Sequence, residues 1–147
     1  MTTGLRLNFL VPPPLSLTPA KKLIVSGKTA ALIRPFIAPF EKRGIIREIK
    51  EPQALFFSHV FPAFKKDGKV RPIINLKTLN RMLKVPTFKM ETVTRISKCI
   101  IEKLWGVIID LQDAFFLIPI AWYYHKYFAF TIDGRTLVFQ FMHSAFP

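Results

Sequence analysis

The chain has 147 residues, of which 50% are hydrophobic. That is enough to bury the core of one ordinary domain, and it excludes a chain that is disordered by composition. Its apolar runs are shorter than the ~18 residues of a membrane span, and Pro12-Pro13-Pro14 interrupts the apolar start too early for a signal peptide. Cys99 is the only cysteine, which excludes an intrachain disulfide and a cysteine-based zinc cluster. These features predict an intracellular protein without a membrane partner.

The charge of the chain is strongly positive and uneven. The formal net charge at pH 7 is +13. Residues 1–103 hold 20 of the 22 Lys and Arg and 6 of the 9 Asp and Glu, which gives +14, whereas residues 104–147 carry −1. This balance favours a polyanion such as nucleic acid as the partner. The alternative is that the basic residues only form a solvated face.

The N-terminal part divides into two regions by composition. Residues 1–27 are proline-rich and lack a clear period, which predicts a leader or linker, and residues 28–147 are predicted to form the domain. The domain opens with helical spacing over 28–43, where Pro39 should kink or shorten the helix. A short strand is predicted next, over residues 45–49.

A basic hairpin is predicted in the middle of the chain. Residues 56–64 and 69–76 are strand-like runs on either side of Lys65-Lys66-Asp67-Gly68. Asp-Gly between apolar runs indicates a tight turn, so we expect the two runs to pair antiparallel. Pro62 and Pro72 each remove a ladder donor, so we expect both strands either to be irregular or to lie at the edge of a sheet. Lys65 and Lys66 at the tip, with Lys69 and Arg71 on the return strand, place four cations on one hairpin, which suits phosphate binding. A solubility-promoting loop tip is the alternative.

Val107, Ile108 and Ile109 are consecutive β-branched residues, which predicts a buried strand that ends in Asp110. Asp113 follows three residues later. An unpaired buried charge is costly, so an acid at this place either faces solvent or binds a cation. An Asp-x-x-Asp after a strand is also typical of a helix N-terminus, where the first acid only caps the backbone. Both interpretations remain open at this point.

The other predicted elements are a short helix over 77–83, a helix over 90–101, a helical turn over 121–126 and a hairpin of 127–132 with 135–141 around Asp-Gly. His59, His125 and His143 lack ligand spacing, and we interpret them as surface or strand residues rather than metal ligands.

The order of these motifs resembles the fingers and first palm half of retroelement reverse transcriptases, with the gypsy and DIRS types as the nearest group. The resemblance extends over residues 30–146. It rests on the basic hairpin Phe64–Asn80, on Phe88-Lys89-Met90-Glu91-Thr92, on Ile109–Ile120, and on His125-Lys126-Tyr127 followed by Phe139-Gln140-Phe141. It implies an α+β fold: reverse-transcriptase-like fingers plus an incomplete palm of the right-hand polymerase type.

The resemblance also implies roles at the acidic segment. Asp110 matches the first catalytic aspartate, which binds Mg²⁺ through hard oxygen ligands. Asp113 and Ala114 match the positions whose backbone amides receive the triphosphate of the incoming deoxynucleotide. Phe115 matches the bulky residue that excludes a ribose 2′-hydroxyl, the group that distinguishes RNA from DNA precursors.

The basic hairpin receives a role from the same resemblance. Arg71 and one of Lys65 or Lys66 match the finger cations that bind the triphosphate, in a reaction that depends on positioning and charge neutralisation. The implied partners are an RNA or DNA template–primer and deoxynucleoside triphosphates, and the implied cofactor is Mg²⁺.

The chain departs from the family pattern in ways that bear on activity. Ala121-Trp122-Tyr123-Tyr124 stands where polar residues are usual, Gln112 stands where Lys or Arg is common, and Ser144-Ala145-Phe146-Pro147 is a degraded leucine-proline-phenylalanine-glycine motif. The tyrosine-x-aspartate-aspartate hairpin is absent from these residues, although a two-metal site needs ligands for two ions about 3.5–4 Å apart. Without its strands, the edge beside Val107–Leu111 would be exposed and apolar.

We therefore expect a fragment of an RNA-directed DNA polymerase that is inactive alone, whose missing palm, thumb and RNase H regions would belong to a longer product. The alternative is a non-catalytic basic module that binds nucleic acid.

Overall fold

The computed structural model describes residues 4–66, 68–87, 89–100, 103, 105–109, 111 and 114–143. The strands in these residues are β1 (Ile24–Val25), β2 (Ile46–Glu48), β3 (Val60–Phe64), β4 (Val70–Ile74), β5 (Ala129–Ile132) and β6 (Arg135–Phe139). The α-helices are α1 (Gly27–Lys42), α2 (Lys77–Asn80) and α3 (Val93–Ser97), and short 3₁₀ helices span Lys21–Leu23, Ala114–Leu117 and Trp122–Tyr127. The predicted α+β class is confirmed.

The larger sheet has the strand order β1-β5-β6-β2. Strands β5 and β6 form the predicted second hairpin, and the short strand predicted over 45–49 pairs with β6 as β2. Asp133 and Gly134 both have positive φ, 49° and 77°, which is the backbone of the two-residue turn that matches strand twist. This turn lets Arg34 of α1 bond to Asp133 at 2.9 Å.

Strands β3 and β4 form a separate antiparallel hairpin, as predicted. Backbone bonds of 2.8 Å from Lys65 N to Lys69 O and from Asn75 N to His59 O extend the pairing at both ends. Because hydrogen-bonded and non-hydrogen-bonded pairs alternate, Pro62 and Pro72, which lie opposite each other, occupy a non-hydrogen-bonded pair. In the described residues of this hairpin the pairing is regular, because neither proline has to donate to the ladder, and both strands are edges of a two-stranded sheet, which is the other outcome that we expected for them.

Helix α1 continues through Pro35 and Pro39 to Lys42. Of the two outcomes predicted for Pro39, a kink or a shortened helix, the shortening is therefore wrong. The helix buries Ala30, Ile33 and Ile37, and this tertiary burial outweighs the backbone bonds that the two prolines cannot make.

Residues 4–27, in the region that we predicted to be a leader or linker, pack along the domain. Leu7 and Val25 are buried in the same core cluster as residues of α1 and of both sheets. Strand β1 adds parallel to β5, and isolated bridges join Leu5 to Ile120 and Phe9 to Leu83.

The predicted buried strand over Val107–Leu111 is wrong in the described residues. Residues 105–109 have no regular structure, and Val107, Ile108 and Ile109 are between 82% and 97% exposed. A β-branched run becomes a strand when a neighbouring strand accepts its backbone hydrogen bonds and covers its side chains. No described strand pairs with residues 105–109.

The helix predicted over 90–101 is reduced to α3 for the same reason, since Val93 and Ile96 on its apolar side are exposed and packing stabilises most short helices. Among the described residues, no helix has the length and apolar character needed to cross a membrane.

Candidate functional site

The basic hairpin places its cations at one end and on one face. Lys65 and Lys66 are exposed at the tip, where Gly68 N donates to Lys65 O at 2.9 Å. Arg71 lies opposite Ala63 and is exposed. Since side chains alternate along a strand, Arg71 is on the face opposite that of the buried Pro72 and Ile74. The predicted cations therefore lie on the solvent side of the hairpin.

Ala114 and Phe115 begin a short 3₁₀ helix (Ala114–Leu117) in which neighbouring side chains face different surroundings. Phe115 is 46% exposed. Phe116 instead packs with its ring centroid 5.4 Å from that of Phe40 on α1, and the Arg43 guanidinium lies 5.9 Å from the Phe116 ring. The packing of Phe116 fixes the backbone of this segment, and the neighbouring Phe115 side chain is exposed to solvent.

His143 joins this segment to the basic hairpin. Its Nε2 atom lies 3.3 Å from the carbonyl oxygen of Pro72 on β4. Its ring lies 6.0 Å from Phe116 and 5.4 Å from Phe139. The imidazole is buried and packs between β4, β6 and the Phe115 segment. Two predicted parts of the site, about 45 residues apart in sequence, thus meet on one side chain.

The imidazole of His143 is held in its neutral form. Burial, helped by the positive charge of Arg71 and opposed by the hydrogen bond to Pro72, lowers the pKa of His143 to about 4. At neutral pH the imidazole is therefore uncharged, and its Nε2–H donates to the Pro72 carbonyl.

The prediction that His143 is a surface or strand residue is wrong. In the sequence, His143 follows Phe141 and Met142, and Met142 is also buried. That apolar context is the sequence signal that could have indicated burial.

The acids predicted to bind metal or nucleotide, Asp110 and Asp113, lie outside the described residues. Four of the five described acids pair with arginines: Glu41 and Glu48 both bond to Arg135 at 2.7 Å, Asp133 pairs with Arg34 at 2.8 Å, and Glu91 pairs with Arg95 at 3.2 Å. The described part of the chain holds no group of three or more side chains able to bind a metal ion. These residues therefore do not by themselves fit a Mg²⁺ site.

A groove on the basic hairpin was missed by the sequence reasoning. It has a volume of about 550 Å³ and is lined by Phe61, Ile73, Ile74, Asn75, Leu76, Lys77, Asn80 and Arg81. Phe61 lies opposite Ile73, two positions from Arg71, so by alternation the groove and Arg71 share the solvent face. The groove combines an exposed aromatic ring with two cations at its far end.

The chain matches the family of reverse transcriptases (RNA-dependent DNA polymerases) over residues 64–146. It is 31% identical over 106 residues to the Gag-Pol polyprotein of Walleye dermal sarcoma virus, a match that covers 70% of this chain and 6% of the polyprotein.

Solved structures of the same kind share the fold. The protease–reverse transcriptase of prototype foamy virus superposes with a TM-score of 0.70 at 20% identity, covering 95% of this chain and 18% of the viral one. A foamy viral protease–reverse transcriptase in complex with double-stranded DNA superposes with a TM-score of 0.64 at 19% identity, covering 96% and 30%. The chain thus spans less than a third of each of these relatives. The expected fold of fingers with part of a palm is confirmed.

Proposed function

Since this chain belongs to the reverse transcriptase (RNA-dependent DNA polymerase) family, we propose that its hairpin and Phe115 segment together bind the incoming deoxynucleotide of such a polymerase. The observation that supports this best is the position of His143, which contacts both Pro72 and Phe116. A nucleotide site needs its phosphate-binding and sugar-binding groups on backbones that do not move apart. The buried imidazole supplies that fixed spacing.

Each predicted residue has a proposed task. Lys65, Lys66 and Arg71 neutralise the triphosphate, in which charge compensation matters more than covalent help. The backbone amides of Asp113 and Ala114 receive its oxygens. Phe115 excludes the ribose 2′-hydroxyl by filling its space, and its exposed ring on a segment anchored by Phe116 fits that role.

The groove on the hairpin is the proposed contact with the template strand. A base can stack on an exposed aromatic ring such as Phe61, and phosphates can reach Lys77 and Arg81 at the other end. Arg71 shares its face, so the template base and the triphosphate would approach the hairpin from one side. The foamy viral enzyme has been solved in complex with double-stranded DNA, which supports a nucleic-acid partner for this chain.

Asp110 is the proposed Mg²⁺ ligand. Bound Mg²⁺ would supply charge neutralisation at the phosphates. Asp110 offers one carboxylate, and four of the five described acids are held by arginines, so we propose that these 147 residues by themselves bind substrates without synthesising DNA. The assignment to the gypsy or DIRS type remains a prediction.

Deoxynucleotide binding by charge-neutralising variants tests the proposal. Arg71→Gln, and Lys65→Gln with Lys66→Gln, should each weaken the binding of a fluorescent deoxynucleoside triphosphate about 10-fold, the effect of losing one hydrogen bond to a charged group. Lys22→Gln removes an exposed cation outside the site and should leave the affinity within about 2-fold. Equal losses in all three variants would show that only net charge matters, and would overturn the proposed site.

A further inference from the structure

The short 3₁₀ helix Trp122–Tyr127 carries two different sides. In a 3₁₀ helix, residues three apart lie above one another. Tyr124 and Tyr127 accordingly share the inner side, with ring centroids 6.5 Å and 4.7 Å from that of Phe9. Tyr123 and Lys126 share an outer side. Trp122, Tyr123 and Lys126 together are called the aromatic–basic surface below.

The aromatic–basic surface is held in a fixed geometry. Lys126 Nζ lies 4.0 Å from the centroid of the Tyr123 ring, and the rings of Trp122 and Tyr123 meet edge to face at 6.0 Å and 88°. The helix is anchored by a 2.8 Å contact between His125 Nε2 and the Ile120 carbonyl oxygen. Its rings are therefore preorganised, which lowers the entropic cost of binding.

The two rings of the surface are exposed, Lys126 is partly exposed, and the surroundings are positive. Trp122 is 81% exposed. Residues 114–132 contain no Asp or Glu. Leu5 accepts a 3.0 Å bond from the Ala121 N–H, which brings Arg6 next to the helix start. The charge of Arg47 is near enough to His125 to help lower its pKa, after burial, which is the larger cause.

We propose that the aromatic–basic surface binds single-stranded nucleic acid, with a base stacked on Trp122 or Tyr123 and a backbone phosphate on Lys126. Aromatic rings held beside cations are the recurrent means of holding unpaired bases without sequence preference. A duplex presents few free base faces, so the rings favour single strands over duplex. The inference rests on the proposed function for its nucleic-acid partner, and it adds a contact outside the basic hairpin.

Trp105 provides a matched control, because it is the other tryptophan of the chain and is 96% exposed. The measurement is the affinity of the full chain for a labelled single-stranded 20-nucleotide DNA, for the matching duplex, and for vesicles of phosphatidylcholine with phosphatidylserine. Trp122→Ala and Tyr123→Ala should each weaken single-strand binding about 10-fold, the effect of losing one stacked base. Trp105→Ala should change it less than about 2-fold.

Fluorescence gives a second readout that needs no truncation at the surface. In a Trp105→Phe background, Trp122 is the sole tryptophan, and single-stranded DNA should quench it while equal duplex quenches it less. The inference is overturned if Trp122→Ala leaves the affinity for single-stranded DNA unchanged and single-stranded DNA does not quench Trp122. It is also overturned if the variants lose only vesicle binding. If the wild-type chain binds neither DNA, the proposed function fails as well; if it binds both and these variants match it, only this inference fails.

Discussion

The Nε2 atom of His143 lies 3.3 Å from the carbonyl oxygen of Pro72, although the two residues are 71 positions apart in the sequence. The same ring packs on Phe116. Three segments that the sequence analysis treated separately thus share one buried side chain. Because burial favours the neutral imidazole over the protonated one, the geometry of the proposed nucleotide site depends on a protonation equilibrium.

The stability of the fold should fall on mild acidification. The pKa of His143 is lowered from 6.5 to about 4, so the unfolded chain binds a proton more tightly than the folded one. Stability is then fully present above about pH 6.5, declines as the pH falls toward 4, and levels off below. At about 1.4 kcal/mol for each pKa unit, the loss in the free energy of unfolding approaches about 3 kcal/mol.

Urea unfolding between pH 7.5 and 4 measures this loss. His143→Gln cannot titrate, so its stability should vary less over the same range even if it is lower at pH 7. Glu48, whose pKa is lowered by the bond from Arg135, and His125, whose pKa is lowered by burial, contribute alike in both proteins, so the difference between the two pH slopes isolates His143. An identical pH slope in wild type and His143→Gln would refute the role assigned to this imidazole.

Phe115 and Phe116 should separate function from stability. Phe115→Ala removes an exposed ring, so it should leave stability within about 0.5 kcal/mol while allowing ribonucleoside triphosphates to bind nearly as well as deoxynucleotides. Phe116→Ala removes contacts with Phe40 and His143 and should cost about 2 kcal/mol. Competition binding and urea unfolding check the two effects. Retained discrimination in Phe115→Ala would contradict the steric role.

Arg135 should be the surface arginine that matters most for folding. It bonds to Glu41 of α1 and Glu48 of β2, both at 2.7 Å, and so ties three elements, whereas the ion pair of Arg34 with Asp133 joins two. Arg135→Gln should lower stability by about 1 kcal/mol, a value reduced by its partial exposure, and Arg34→Gln by less than about 0.5 kcal/mol. Equal effects in thermal unfolding would show that the shared geometry adds nothing.

Binding to nucleic acid should weaken steeply with salt. Residues 1–103 carry a net +14, and each phosphate neutralised by a cation releases counterions. Lys77→Gln, at the end of the hairpin groove, should reduce the slope of log affinity against log salt by about 1. A flat curve between low and physiological salt would count against phosphate contacts altogether.

Much of the fold was readable from local signals. The Asp-Gly pairs predicted both hairpins because few other sequences adopt that turn, and apolar spacing predicted α1. Val107–Ile109 misled, because the same β-branched run is a strand only beside a partner. Pro39 did not shorten α1, because the burial of Ile33 and Ile37 outweighs the local cost of the proline.

The candidate site was readable only in part. The cations and Phe115 came from motif order, but the joining of the segments did not, because a lone histidine carries no spacing signal. The hairpin groove required the register that pairs Phe61 with Ile73. Contacts between residues far apart in sequence are set by tertiary packing, which local patterns do not encode.

Coupling between Mg²⁺ and deoxynucleotide at Asp110 is the most direct test of the proposed function. Mg²⁺ keeps much of its hydration and relies on substrate phosphates, so its affinity for the chain should rise when a deoxynucleoside triphosphate is present. Asp110→Ala should abolish that increase. If Asp110 only caps a turn, the variant should lose about 1 kcal/mol of stability and bind nucleotide unchanged. Calorimetric titration of Mg²⁺ with and without nucleotide, in wild type and variant, decides: coupling in wild type alone supports the account, and equal affinity in all four titrations contradicts it.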